Sequence, residues 1–186
     1  VIPHECTAHK ETVNGQAATC TADGWNDYYQ CKDTNCGKCY TDNAMTTEIT
    51  DLAAWKIGDG KLGKTGHDWT YSANENVITA TCQNNAAHTA TLTLTAENEV
   101  FGGDAWYRYR SAGASWSDTT LAMPSAVIAY YIDGDTKTTP ENSGSLEEGS
   151  APRNAGNYIA KATITVGGIS YTIEKAFSIT KASITT

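Results

Sequence analysis

The chain reads as mainly β: a small cysteine- and histidine-rich module over residues 1–66, then an antiparallel β-sandwich over residues 67–186. Three observations predict this. Four of the six cysteines fall between Cys20 and Cys39, in a polar segment with almost no aliphatic residues. Beyond Asp68 apolar and polar residues alternate, the mark of half-buried strands. Ten Tyr and five Trp against two Phe and two Met, with abundant Thr, Ala, Gly and Asn, suit strands that present Thr and Tyr to water.

Charge narrows the partners. The net charge is −8 with 18% charged residues, and nucleic acid or an anionic membrane needs a basic face instead. No apolar run approaches the roughly 20 residues of a membrane span. The chain starts at Val1 without a Met, as a trimmed or excised piece would, so a missing leader says nothing of location.

The cysteine-rich segment cannot bury enough apolar surface to fold unaided, so it needs a cross-link or a metal. Thiolate and imidazole suit Zn²⁺, which takes four ligands in a tetrahedron and favours two of them on a tight turn. That turn is Cys31 to Cys36 followed by Gly37, or Cys36 to Cys39. Six cysteines also allow three disulfides in an oxidising setting. Two neighbouring strings imitate catalytic motifs and fail on context. His4 and His9 are five apart, where a metalloprotease helix needs four. Cys36-Gly37-Lys38-Cys39 lacks the buried strand and following helix of a redox site.

Met45 to Ile57 is the one stretch that reads as a helix, though Thr46, Thr47, Ile49 and Thr50 suit a strand equally. Gly58 to Thr65 matches the literal phosphate-loop string. A strong preceding strand and a following helix are both missing, so a turn or linker is expected.

Strands follow. Val77, Thr79 and Thr81 alternate with Ile78, Ala80 and Cys82. Ala90, Leu92, Leu94 and Ala96 share a face opposite Thr89, Thr91, Thr93 and Thr95, and Gln83-Asn84-Asn85 closes a hairpin between the two runs. Ser125 to Ile132 is apolar on both faces, which predicts a central strand. Tyr158, Ala160, Ala162, Ile164 and Val166 mark another, turned by Gly167-Gly168 into Ile169, Tyr171, Ile173, Phe177 and Ile179. Two stretches read as irregular: Phe101 to Asp118, and the polar Asp133 to Asn157. The first carries Trp106, Tyr107, Tyr109 and Trp116 beside Asp104 and Arg108. A stacking platform for sugar rings, and hence a carbohydrate-binding module, is the alternative function this predicts. No Gly-x-Ser-x-Gly elbow occurs, no His sits in a defensible triad pattern, and Glu147-Glu148 lies in loop sequence; the chain reads as a non-enzyme.

The first unit resembles a Cys/His repeat of large bacterial cell-surface proteins. The resemblance rests on His9, Ala18-Thr19-Cys20-Thr21, Gly24, Tyr28-Tyr29, Cys31, Cys36-Gly37-Lys38, Tyr40, Asp42, Thr46-Thr47-Glu48-Ile49 and Thr65-Gly66-His67-Asp68-Trp69. It implies a zinc-ribbon-like β-module without catalysis, with His9, Cys20, Cys31 and Cys36 as ligands of a structural zinc and Cys6, Cys39 and His67 as alternates. Here Cys31 and Cys36 are separated by four residues, where two is usual. The second unit resembles bacterial immunoglobulin-like domains, through Pro152-Arg-Asn-Ala-Gly-Asn-Tyr158 to Ile164 and the ending Ala176-Phe177-Ser-Ile179-Thr180-Lys181-Ala182. Together the resemblances imply a spacer or adhesion segment of an extracellular, cell-surface bacterial protein. Flanking domains of the same chain and an unidentified cell-wall or host glycan or protein are the expected partners.

Overall fold

The computed structural model describes residues 6–33, 36–101, 109, 111–134 and 151–182. The chain is mainly β and divides into two compact units: residues 1–68 with 83–85, and residues 69–82 with 86–186.

In the first unit a 3-10 turn, Cys6–His9, leads into β1 (Lys10–Val13). Then come β2 (Gly24–Trp25), β3 (Tyr28–Cys31), β4 (Cys39–Tyr40), β5 (Glu48–Ile49), the helix α1 (Leu52–Ile57) and β6 (Lys61–Leu62). One sheet runs in the order β1-β3-β4-β5 and a second pairs β2 with β6. The stretch read as one helix from Met45 is therefore split. Its Thr-rich start passes into β5, and only the part after Asp51 coils, because the Asp51 carboxylate accepts the Ala54 N–H at 3.0 Å as an N-cap. The phosphate-loop string is a turn plus β6; the Lys64 N–H donates to Asp23 at 2.8 Å and the Thr65 N–H to the Thr19 carbonyl at 2.9 Å.

Among the described residues this unit buries two separate small clusters. One face of the β1-β3-β4-β5 sheet buries Tyr28, Cys39 and Ile49 against Val13, Leu52 and Trp55. The other buries Cys31, Tyr40 and Met45 against Cys6, Tyr29 and Cys36. The division follows strand parity, since consecutive side chains point to opposite faces: Cys39 goes one way and Tyr40 the other. Close backbone approach fixes the rest. A Cβ at Gly24 would lie 2.0 Å from the Gln16 carbonyl oxygen, so only glycine fits where β2 meets the Gln16 bridge.

The turn between β4 and β5 is held by a carboxylate. Asp42 accepts the Thr46 N–H at 3.1 and 3.2 Å and the Thr47 N–H at 2.7 Å. These bonds hold its carboxyl below the ordinary value of 3.8. A depressed carboxylate stabilises above the unfolded value, and that contribution disappears as pH falls through the folded one. Amide resonances of Thr46 and Thr47 are therefore expected to move together below about pH 4, and Asp42→Asn to abolish the shared transition. Independent titration of the two amides would show that Asp42 does not hold the turn.

The second unit comprises β7 (Trp69–Asn74), β8 (Val77–Cys82), β9 (Asn85–Ala96), β10 (Glu99–Phe101), β11 (Ala112–Trp116), β12 (Val127–Ile132), β13 (Gly156–Val166) and β14 (Ile169–Lys181). They form two four-stranded sheets, β11-β9-β8-β7 and β10-β14-β13-β12. Every described pairing in them is antiparallel except the parallel edge contact of β10 with β14. The two sheets share one core: Ile78, Leu92, Leu94 and Ala96 from the first meet Tyr158, Ala160, Ala162, Ile164, Ile173, Phe177 and Ile179 from the second. Gly167 and Gly168, at φ 58° and 81°, supply the two left-handed positions that close the β13–β14 hairpin.

Two expectations change. The apolar run ending at Ile132 is not central: β12 is the last strand of its sheet among the described residues, and Val127 is 71% exposed. Phe101 to Asp118 is not wholly irregular, because β11 lies inside it and pairs with β9 from Ala112↔Ala96 to Trp116↔Leu92. Alternating small residues at Ala112, Gly113 and Ala114 carry that strand, and they give a weak hydrophobic signal. The final apolar stretch, which read as one strand or two, is the single strand β14. Of the loop expected over Asp133 to Asn157, residues 135–150 lie outside the described residues.

Candidate metal centre

Three cysteines from three separate places converge in the first unit. Cys6 stands on the 3-10 turn, Cys31 ends β3, and Cys36 lies in the turn that returns to β4. Their Sγ atoms all lie within 4.8 Å of one another, and the Cys6 and Cys36 sulfurs are 3.2 Å apart. None of the six cysteines is in a disulfide. The 3.2 Å separation is far longer than the ~2.05 Å of an S–S bond. It is also about half an ångström short of the ~3.8 Å edge that tetrahedral zinc with ~2.3 Å Zn–S bonds requires. A small parting of these two half-buried side chains brings the Cys6–Cys36 pair to that spacing.

Backbone bonds position the Cys31 and Cys36 sulfurs, and one more ties the turn that carries Cys6 at its far end. The Lys32 N–H donates to the His9 carbonyl at 2.8 Å and ties the end of the 3-10 turn to the exit of β3. The Cys31 N–H donates to Lys38 at 2.9 Å and the Cys36 N–H to Asp33 at 2.9 Å, which closes the turn between the two cysteines. Gly37, at φ 63°, provides the left-handed step that the return into β4 requires. The four-residue separation of Cys31 and Cys36 is thus absorbed by a wider turn.

The three sulfurs are not equivalent. Cys31 is 1% exposed, while Cys6 and Cys36 are half-buried. Burial pushes the Cys31 thiol up to about 11. Cys6 is held below its ordinary value of 9.0, first by the hydroxyl of Tyr40, which donates to its Sγ at 3.6 Å, and next by Cys36. That same bond, with burial, raises the Tyr40 hydroxyl. A bound cation would override these differences, because a coordinating thiol gives up its proton to the metal.

The ligands expected from the sequence are redistributed. Cys31 and Cys36 come together, joined by Cys6, which entered only as an alternate. Cys20, buried, belongs to a different place: its Sγ and a ring nitrogen of His67 lie within 4.8 Å of each other. His9 is exposed, on the same short turn as Cys6. Cys39 faces the opposite side of the sheet, in the cluster of Tyr28 and Ile49, and strand parity removes it from the trio. The signal for this was present in the sequence: adjacent residues on one strand, Cys39 and Tyr40, cannot both face Cys31.

The aromatic stretch is also redistributed. Tyr109 is 1% exposed, stacked on Phe177 at 3.9 Å, with its hydroxyl donating to the Glu97 carbonyl at 2.7 Å. The Trp116 indole N–H donates to the Pro124 carbonyl at 2.8 Å, and its ring meets Tyr71 edge-on. Both rings are committed to protein neighbours, and a sugar cannot stack on Tyr109 where it lies. Trp106 and Tyr107 lie outside the described residues. Comparison with protein-family models, with curated proteins and with solved structures gives no match.

Proposed function

We propose that the chain is a non-catalytic spacer or adhesion segment of a bacterial cell-surface protein, whose first unit is folded by a structural zinc ion. The observation that carries this reading is the convergence of three unbridged thiols within 4.8 Å in a unit whose buried apolar clusters are very small. Soft sulfur donors at this spacing favour Zn²⁺ over hard cations. Cys6, Cys31 and Cys36 are the ligands proposed here; the resemblance implies His9 as a ligand beside Cys20, Cys31 and Cys36, and since His9 stands on the same turn as Cys6 it is the fourth ligand we propose. The extracellular setting and the immunoglobulin-like identity of the second unit rest on the same resemblance. In support of the latter, β12, β13 and β14 lie side by side, as strands C, F and G do in an immunoglobulin sandwich. The segment where strands D and E would fall, residues 135–150, lies outside the described residues.

Metal content and thiol count on one purified sample test the zinc assignment. Zinc near one mole per mole, with Cys6, Cys31 and Cys36 alkylated only after chelation, is the expected result. Thiols that never react, with no metal present, would make the unit a disulfide scaffold. For the spacer reading, the full chain is expected to retain no glycan on an array of neutral and acidic oligosaccharides. Retention abolished by Trp106→Ala would instead favour the carbohydrate-binding alternative.

A further inference from the structure

The metal reading leaves one polar contact unexplained: the hydroxyl of Tyr40 donating to the Cys6 sulfur at 3.6 Å. Tyr40 is 8% exposed, on β4, and packs with Cys31 and Met45 on the face that carries the three thiols. Its backbone pairs with Glu48 and Tyr29, so the ring is fixed at both strand neighbours. Cys6 lies 34 residues earlier in the chain. It is carried by a four-residue turn with no buried residue, so that turn alone does little to fix its sulfur. Cys31 and Cys36, by contrast, are set by the backbone bonds of the β3–β4 turn.

We propose that Tyr40 is the positioning residue of the metal centre: its hydroxyl recruits Cys6 as the third sulfur ligand and takes up part of the thiolate's charge. Three thiolates on one divalent ion leave the centre net negative, and a buried O–H donor offsets part of that charge. Donors around the ligands act in this way at metal sites generally, and losing one typically weakens metal binding 10- to 100-fold. The hydroxyl does not touch the metal. It acts through the sulfur, and it distinguishes Cys6 from Cys39, which lies on the other face of the same strand pair. The inference rests on the proposed metal centre, and its test separates the two.

The test uses the full chain loaded with Co²⁺ as a spectroscopic stand-in for zinc, comparing wild type with Tyr40→Phe, which keeps the ring and removes only the hydroxyl. The expected result is a 10- to 100-fold loss of Co²⁺ affinity in competition with a chromophoric chelator. A shift of the sulfur-to-cobalt charge-transfer band to lower energy should accompany it, because a thiolate without its donor gives up an electron more easily. Cys6→Ser is expected to remove one sulfur's share of that band, and Tyr40→Phe in that background to have no further effect on band or affinity. Wild type that takes up no Co²⁺ would overturn the metal centre itself, and this inference with it. Wild type that binds, with Tyr40→Phe indistinguishable in affinity and in band position, would overturn the role of Tyr40 alone. A loss of affinity with an unmoved band would overturn it too, since that marks a purely packing effect.

Discussion

If a structural zinc ion folds the first unit as proposed, removing it is expected to unfold that unit while the second stays folded. Among the described residues the buried apolar side chains of the first unit are few: Tyr28, Tyr40, Met45 and Ile49, with Cys20, Cys31 and Cys39. A unit of this size rarely gains more than about 3–5 kcal/mol from its core alone. Structural zinc contributes apparent binding free energies of roughly 10–16 kcal/mol in small zinc-folded peptides at neutral pH. Losing a contribution of that order leaves nothing to offset chain entropy. Chelation is therefore expected to collapse the amide dispersion of Tyr28, Ile49 and Trp55 while the methyl resonances of Leu92, Leu94 and Ile164 keep their places. Cys31→Ser should reproduce the effect without chelator, because Cys31 is the most buried of the three thiols. Cys39→Ser supplies the contrast. It is equally a buried cysteine of the same sheet, yet it sits on the other face, so metal stoichiometry should be unchanged. A first unit that keeps its dispersion in chelator, or Cys39→Ser matching Cys31→Ser, would remove the metal as the organising element.

Strand content was legible because alternation encodes it directly. Ala90, Leu92, Leu94 and Ala96 fall on one face by counting in twos, and all four are buried. The Gly167-Gly168 turn was legible for a similar reason, since only glycine takes two consecutive left-handed positions without strain. What alternation does not encode is the order of strands within a sheet. The run ending at Ile132 is apolar on both faces yet forms the last described strand of its sheet. Its side chains cover neighbours in part without being enclosed: Val127 is exposed, while Ile128 and Tyr130 pack against the core. β11 was hidden because Ala112, Gly113 and Ala114 carry little hydrophobic contrast, and its place is set by pairing with β9 instead.

A sulfur cluster was legible in kind, while the structure groups Cys6 with Cys31 and Cys36 where the sequence reading put His9 and Cys20. A cluster of soft ligands in a segment poor in aliphatic residues points to a staple whatever the pairing. Which four ligands share one ion depends on contacts between residues distant in sequence, such as Cys6 with Cys36. Spacing carries no record of those. Cys20 illustrates this: it belongs to the same dense run, but a buried position near His67 takes it elsewhere. Parity on β4 is the one local rule that would have sorted Cys39 from Tyr40 beforehand.

In the second unit the largest single effect is expected at Phe177. Its ring is 4% exposed, stacks on Tyr109 at 3.9 Å with 17° between planes, and lies 5.6 Å from Tyr158. Tyr130 meets it edge-on at 6.1 Å. Three tyrosines thus close around one phenylalanine, and their hydroxyls reach outward: Tyr109 to Glu97, and Tyr158 to the Asn154 carbonyl at 2.9 Å. Those bonds anchor Tyr109 and Tyr158, so these two rings cannot move far to fill a space left between them. Phe177→Ala is accordingly expected to cost about 3–5 kcal/mol, the range for truncating a buried aromatic. That corresponds to a fall of roughly 10–25 °C in the melting temperature of this unit. Phe177→Leu keeps most of the buried area and loses the ring contacts, so about 1–2 kcal/mol is expected. Val100→Ala, on a side chain 61% exposed, should stay within about 0.5 kcal/mol. Denaturant unfolding followed by the second unit's own methyl resonances measures all three. Were Phe177→Ala to cost no more than Phe177→Leu, the aromatic cluster would not be what joins β14 to the rest of its core.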